Sequence, residues 1–547
     1  MVHILVTQAA IALVGYLVYR LLFLKKSRPN LPPGPKPLPI IGNVFDLPGK
    51  DAVEHEHWLS HRKYGPITSI TVLNQPIIII HDRHAAHEIL EKKSSKTSGR
   101  PLLEFSSVSG FGRFTHMLQY DGKFRQHRKY MHQLLGAKQS VTKFFASQEL
   151  EARRLLLRVL DNPNEIKEHI RTAAGSSILK IVYGYTIEHD KPDPLVTIIE
   201  QSTANFDASI VPFARAFDFW PALFKRLPEG LPGTGFKKTA RRYDRWLRGQ
   251  VDVPYQFVQR QMEKGVNVPS YVSGLIESAE RGKKVSDEDE EDRKYSAGTL
   301  YGGGGDTTVT LLHSFILAMV RHPEVVQKAQ EEIDRVTGGT RLPGVEDMNK
   351  LPYIEAVTSE ALRWAPVAPM GFPHKVDEDI IYDGYLIPKG SYVFATIWWF
   401  THDPDTYANP DAFDPERYLE PRSEPDPRFA VFGYGRRECP AKHLASSNIF
   451  LTIASLLAAF NIDKALDADG HEITPEVKPK RGFITYVEDF PFRITPRSER
   501  HVEMIKRTER DHPWGESDAE QLEWPDKLLQ GIRDYAGPLV EPKEVAV

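Results

Sequence analysis

The stretch Phe432-Gly433-Tyr434-Gly435-Arg436-Arg437-Glu438-Cys439-Pro440-Ala441 holds the only cysteine of the 547-residue chain, between a turn-rich segment and an apolar run that begins near Lys442. A single cysteine excludes an intrachain disulfide framework and favours a body facing the cytosol. A thiolate is a soft, strongly donating ligand, so the sulfur is open to three readings: nucleophile, metal ligand or inert packing. The residues around it must choose.

Working outward, Lys+Arg of 70 against Asp+Glu of 73 leaves a formal charge of -3, so nothing in bulk electrostatics favours nucleic acid. The length allows several ordinary domains or one large one. No internal repeat and no convincing linker interrupts the chain, which favours one large domain over 41–507. Before it, Ile4 to Leu24 is apolar except for Arg20, close to the roughly 20 residues that cross a bilayer core. Lys25, Lys26 and Arg28 follow, which by the positive-inside rule keeps the rest cytosolic. No small-residue cleavage site follows the run, so 1–25 reads as a retained single transmembrane anchor and the proline-rich 26–40 as a stiff hinge.

Within the body, 66–81 is β-branched with a break at Asn74-Gln75-Pro76 and predicts a hairpin. Apolar residues at three-to-four spacing predict helices over 147–160 and 323–336, and 380–393 reads as a second β patch with an Asp383-Gly384 turn. The charge run 279–294 reads as a solvated loop, and 508–547 as a polar extension without identifiable chemistry. The aromatic, proline-rich run from Ile210 to Phe236 reads either as core plus loop or as a segment dipping into the membrane. The fold class is mainly α with small β-sheets.

Phe-Gly-x-Gly-x-Arg-x-Cys at 432–439 resembles the haem-thiolate loop of the cytochrome P-450 family, and the resemblance extends over roughly residues 30 to 500 through further motifs in the family's order. It implies the family's fold, haem b (iron protoporphyrin IX) with Cys439 as axial iron ligand, and Phe432 and Gly433 beside the macrocycle. Gly302-Gly303-Gly304-Gly305-Asp306-Thr307-Thr308 places four glycines at the head of an apolar helix, each costing roughly 1 kcal/mol against alanine. No lysine follows them, and Asp306 would repel a phosphate. The run resembles the family's distal helix, with Gly303 and Gly304 leaving room over the haem and Asp306 and Thr307 as the acid–alcohol pair that relays protons.

Glu360-Ala361-Leu362-Arg363 puts acid and base on one helix face. With Arg417 of Pro415-Glu416-Arg417-Tyr418 it matches the family's structural charge triad. Arg100, Arg128, His374 and Arg437 match propionate-binding positions. Two departures stand out: Ala441 where the family has glycine, and Phe124 where a tryptophan donates an indole N–H.

The resemblance implies a monooxygenase of the microsomal type in the endoplasmic reticulum membrane, catalytic body in the cytosol. O2 and a lipophilic small molecule are its substrates, and NADPH electrons come through cytochrome P-450 reductase, with cytochrome b5 as a second donor. The proximal face near Lys442 and Arg436 is the candidate docking surface. By family topology the substrate contacts fall at Phe105, Val108, Phe111, Phe206, Val367, Met370, Phe372, Phe483 and Ile484. The motif spellings most resemble fungal secondary-metabolism members of the O-methylsterigmatocystin oxidoreductase type. A haem-thiolate isomerase or dehydratase without a reductase is the alternative; a cysteine hydrolase using His443, or a non-catalytic haem-binding protein, is the remote one.

Overall fold

β-Branched residues after Pro66 form a hairpin in which β1 (Ile67–Val72) pairs antiparallel with β2 (Gln75–Ile80). Leu73 and Asn74 both take positive φ, as a type I′ turn requires, so the turn falls one residue before the break read from the sequence. Pro76 lies inside β2, at a point where β2 has no second neighbour: parallel pairing with the strand at 392–395 begins only at Ile77.

The computed structural model describes residues 30–49, 52–189, 191–210, 226–230, 234–280, 286–480 and 482–524. The anchor expected over 1–25 and most of the 210–236 run lie outside them. Among the described residues no single helix is long and apolar enough to cross a membrane. The described chain divides into two compact units.

The first unit comprises 30–101, 370–396 and 434–436. Its sheet runs β1-β2-β6-β3, with β3 (His374–Lys375) and β6 (Tyr392–Ala395) supplied from late in the chain. The 380–393 patch is therefore two structures: a small hairpin of β4 (Ile380–Tyr382) and β5 (Tyr385–Ile387) turning at Asp383-Gly384, and the separate strand β6.

The second unit is mainly helical. Its elements are α1 (Gly122–Leu135), α2 (Phe145–Asp161), α3 (Ile166–Tyr183), α4 (Pro194–Ser209), α5 (Phe236–Glu263), α6 (Asp287–Arg321), α7 (Pro323–Thr337), α8 (Pro352–Trp364), α9 (Lys442–Ala459) and α10 (Glu499–Asp511). The pair β7 (Phe460–Asp463) and β8 (Arg493–Pro496) closes the core side. α2 and α7 cover the helices read from periodicity at 147–160 and 323–336.

Helix α6 is the axis of this unit. Its lower half buries Leu311, Phe315 and Met319 among Leu156 of α2, Ile354 of α8 and Leu457 of α9. Each such side chain contributes about 1.5–3 kcal/mol of burial. Its start corrects the loop read at 279–294. Ser286 caps the helix by accepting the Asp289 N–H, and Asp287, Glu288, Asp289 and Glu290 lie in the first turn, where the helix dipole favours negative charge. These acids are solvated as expected but start a helix, while 281–285 of the run lie outside the described residues.

The polar tail is also structured as far as 524. Trp514 stacks on His189 with ring centroids 5.2 Å apart, and Arg154 and Arg158 of α2 lie 4.7 and 5.0 Å from the ring. Asp518 accepts the Thr186 N–H at 2.8 Å and returns its own N–H to Thr186 O at 3.0 Å.

Candidate functional site

The glycine run sits mid-way along α6, and its members differ in what they allow. A Cβ at Gly304 would meet Ile178 Cγ1 of α3 at 2.7 Å, so this glycine permits helix packing. A Cβ at Gly303 would meet nothing within 4 Å, and the residue is exposed on a helix otherwise buried around it. That gap is a place where side chains have been withheld from the interior. Beside it, the Thr307 hydroxyl donates to Gly303 O at 2.6 Å, and Thr308 donates to Gly304 O at 3.1 Å.

Asp306 is buried. It lines a hollow with Arg171 and Gly175 of α3, Ile199 and Glu200 of α4, and Tyr301. Arg171 pairs with Glu168 and lies 3.5 Å from Glu200. The Tyr486 hydroxyl is within hydrogen-bonding reach of Asp306 and Thr310. Burial first, then the Asp306 charge, pushes that phenol well above its usual range. Arg171, Glu200 and Tyr486 carry no motif of their own, and sequence reading passed over them.

The cysteine loop lies near the start of α9. Gly433 takes φ +78°, which lets the chain reverse so that the Cys439 N–H donates to Phe432 O at 2.8 Å. Cys439 lies deep in the protein and still keeps part of its surface open. Burial pushes its thiol up, opposed by the Ala441 N–H and the Arg128 charge. Ala441 has an ordinary negative φ of -104°, and it packs against the cluster holding Leu444, Met131 and Leu135. The departure from glycine is thus accommodated without strain.

Arg128 of α1 donates to Glu438 O at 2.7 Å, leaving most of its five N–H groups beyond that bond. Arg437 donates to Thr115 O at 3.1 Å and Leu118 O at 2.6 Å, and its guanidinium stands 3.8 Å over the Phe124 ring. Phe124 replaces an N–H donor by a cation–π platform. Within the first unit, Arg100 donates to Pro373 O at 2.8 Å and lies 5.2 Å from the Phe372 ring, and His374 Nδ1 donates to Thr97 O at 2.7 Å. Lys442 pairs with Glu438 at 2.7 Å, and Arg436 is exposed.

The triad is fully formed and fully buried. Arg363 makes a forked contact to Glu360 at 2.7 and 2.8 Å, and Arg417 reaches the same carboxylate at 3.0 Å. Tyr418 OH and the Asp414 N–H complete the Glu360 oxygens, while Thr401 O and Ala412 O take two further Arg363 donors.

Of the substrate positions, Phe111, Phe206 and Phe483 meet, with Phe206 5.2 Å from Phe111 and 6.3 Å from Phe483. Phe105 belongs to a packed cluster with Phe236 and Tyr243, whereas Val108 is 40% exposed. Val367 packs on the main core, and its carbonyl takes the Thr485 N–H at 3.0 Å, next to the half-buried Ile484. Met370 and Phe372 lie in the first unit, Met370 buried.

The cytochrome P-450 family model matches residues 32–484. The chain belongs to the cytochrome P-450 family. Among its relatives, cytochrome P-450 monooxygenase CLM2 of Gibberella zeae is 47% identical, covering 94% of this chain and 98% of the relative. A multifunctional cytochrome P-450 monooxygenase of Aspergillus fumigatus is 44% identical over 92% and 95%. O-methylsterigmatocystin oxidoreductase of Aspergillus flavus is 36% identical over 93% and 96%. This P-450 is a monooxygenase, an oxidoreductase with fungal secondary-metabolism homologues. The family implies a haem-thiolate cofactor, a redox-partner reductase, a small-molecule substrate and O2.

The residues present fit that cofactor. A deep yet accessible thiol is the donor a haem iron takes, and the guanidinium groups of Arg128 and Arg437 flank the loop with anion-binding capacity. The uncovered backbone at Gly303 leaves room that no side chain claims.

Proposed function

We propose that Cys439 would hold the iron of haem b, and that the protein inserts one oxygen atom from O2 into a lipophilic small molecule of secondary metabolism. Electrons come from NADPH through a partner reductase, with cytochrome b5 as a second donor. The observation that carries this reading is the coincidence, in one unit, of the deep accessible thiol with the gap at Gly303 beside Asp306 and Thr307. When bound, the haem supplies the redox chemistry that activates dioxygen.

The chain's own groups then hold and move protons and shape the cavity. Thr307 can exchange its bond to Gly303 O for one toward the gap, and Asp306 behind it is linked through Tyr486 and Arg171 to groups nearer the surface. Arg128 and Arg437 supply donors for the propionates. The Glu360 triad holds the chain around Asp414 and Arg417 in place. Phe111, Phe206 and Phe483 form the apolar wall for substrate. The apolar run Ile4 to Leu24 supports anchorage in the endoplasmic reticulum membrane with the body in the cytosol.

The reduced, carbon-monoxide-bound spectrum tests the ligand: a thiolate-type Soret band is expected for the wild type and not for Cys439→Ser. The same band in both would end the assignment. Thr307→Ala should oxidise NADPH with release of peroxide in place of product, and unchanged coupling would count against the proton relay.

A further inference from the structure

Phe111 stands between two glycines and is followed two places on by a cation. Gly110 takes φ +95°, and a Cβ there would meet Asp244 Oδ1 of α5 at 2.5 Å and Leu247 Cδ2 at 2.9 Å, so glycine is what lets the chain lie this close to the helix. At Gly112 a Cβ would meet the Ser107 hydroxyl at 2.7 Å. The single 3-10 turn Phe111–Arg113 is thereby laid against α5 with Phe111 buried, its ring 5.2 Å from Phe206 and 6.5 Å from Phe114. The chain passes from surface to wall within a few residues here: Ser107 and Val108, which end the short helix Glu104–Val108, are exposed.

Arg113 fastens that turn to two helices at once. Its Nη2 donates to Asp244 Oδ1 at 2.6 Å, its Nη1 reaches Glu291 Oε1 of α6 at 3.4 Å, and its guanidinium lies 4.6 Å from the Tyr295 ring of α6. With 33% of the Arg113 side chain and 51% of Glu291 exposed, water and salt reach these pairs, and pairs of that kind open and close readily. Resting on the reading of Phe111 as part of the substrate wall, we propose that Arg113 is a positioning residue that acts as an ionic latch. Its pairs with Asp244 and Glu291 keep the turn at 110–113 closed and Phe111 in the wall, and their release admits a lipophilic substrate. The latch sets the rate of passage more than the strength of binding, because the same pairs form again once the ligand is inside.

The test is stopped-flow binding of 4-phenylimidazole to the purified ferric holoenzyme at pH 8, followed by the Soret shift, with amide exchange over 106–118 as a second reading. In the wild type, raising NaCl from 0.1 to 1 M shortens the Debye length from about 10 to about 3 Å and should raise the association and dissociation rates at least twofold. Arg113→Gln and Asp244→Asn should each raise both rates at 0.1 M and blunt the response to salt. The double variant should be no faster than Arg113→Gln, because the two side chains share one contact. Exchange over 106–118 should rise in Arg113→Gln. Arg248→Gln takes the same charge from the other oxygen of Asp244, within α5, and should leave rates and exchange unchanged. Wild-type rates indifferent to salt, wild-type rates or exchange in Arg113→Gln, multiplied effects in the double variant, or equal acceleration by Arg248→Gln would each overturn the latch. A wild type with no azole-induced Soret shift overturns the haem assignment instead, and the exchange of 106–118 in the two proteins then decides the latch by itself.

Discussion

Phe124 and Asp207 show opposite ways in which a single residue departs from expectation. The phenyl ring of Phe124 lacks the donor that its position implies, yet its face holds the Arg437 guanidinium 3.8 Å away, so the position still orients the arginine proposed for a propionate. Asp207 carries an acid where an apolar helix would be cheaper. Its carboxyl, raised from 3.8 to about 7, binds a proton more tightly in the folded than in the unfolded chain. Stability contributed by that proton is present at low pH and is lost as pH rises from about 4 through 7. Asp207→Asn should therefore raise the thermal midpoint relative to the wild type at pH 8, with the gain vanishing toward pH 4. A gain equal at both ends would mean that the carboxyl is not buried unpaired.

At the scale of the element, α6 carries adjacent glycines with different tasks. Alanine is the better helix former by about 1 kcal/mol, so Gly303→Ala should keep or raise the stability of the haem-free protein while lowering haem content or turnover. Gly304→Ala should instead lower the denaturation midpoint, because its methyl meets Ile178 at 2.7 Å. Calorimetry with a haem assay separates the two, and identical behaviour would remove the distinction. The α8 triad is the second element-scale device. Glu360 satisfies both arginines with no solvent access, and Glu360→Gln strands buried positive charge, a loss of about 3–5 kcal/mol in urea unfolding. A loss under 1 kcal/mol would show that the arginines find other partners.

At the scale of the molecule, residues 498–524 fasten the second unit from outside. Trp514 lies between His189 and two arginines of α2, and Asp518 is bonded at both ends to Thr186. Trp514→Ala should cost about 1–3 kcal/mol and raise amide exchange in α2 and at 184–189 ahead of the rest of the unit. Uniform exchange would argue that the extension is a passenger.

What the sequence by itself determined was the chemistry and the structural lock. Phe-Gly-x-Gly-x-Arg-x-Cys, Gly-Gly-x-Asp-Thr and Glu-x-x-Arg are local patterns, in which turn geometry or helical spacing already sets the side chains near one another. The hairpin and the helices at 145–161 and 323–337 were legible for the same reason: a period of two or of 3.6 is written in neighbouring residues. The helix start at 287–290 was written locally too, in Ser286 and the acids after it, and was passed over. Tertiary structure alone decided that Phe124 faces Arg437 and that Trp514 closes on α2. It also brought Asp207, Asp306 and Tyr486 together from three separate segments. Contacts between residues a hundred or more positions apart leave no periodicity in the chain; they arise only when apolar faces pack and carry their polar passengers into the same space.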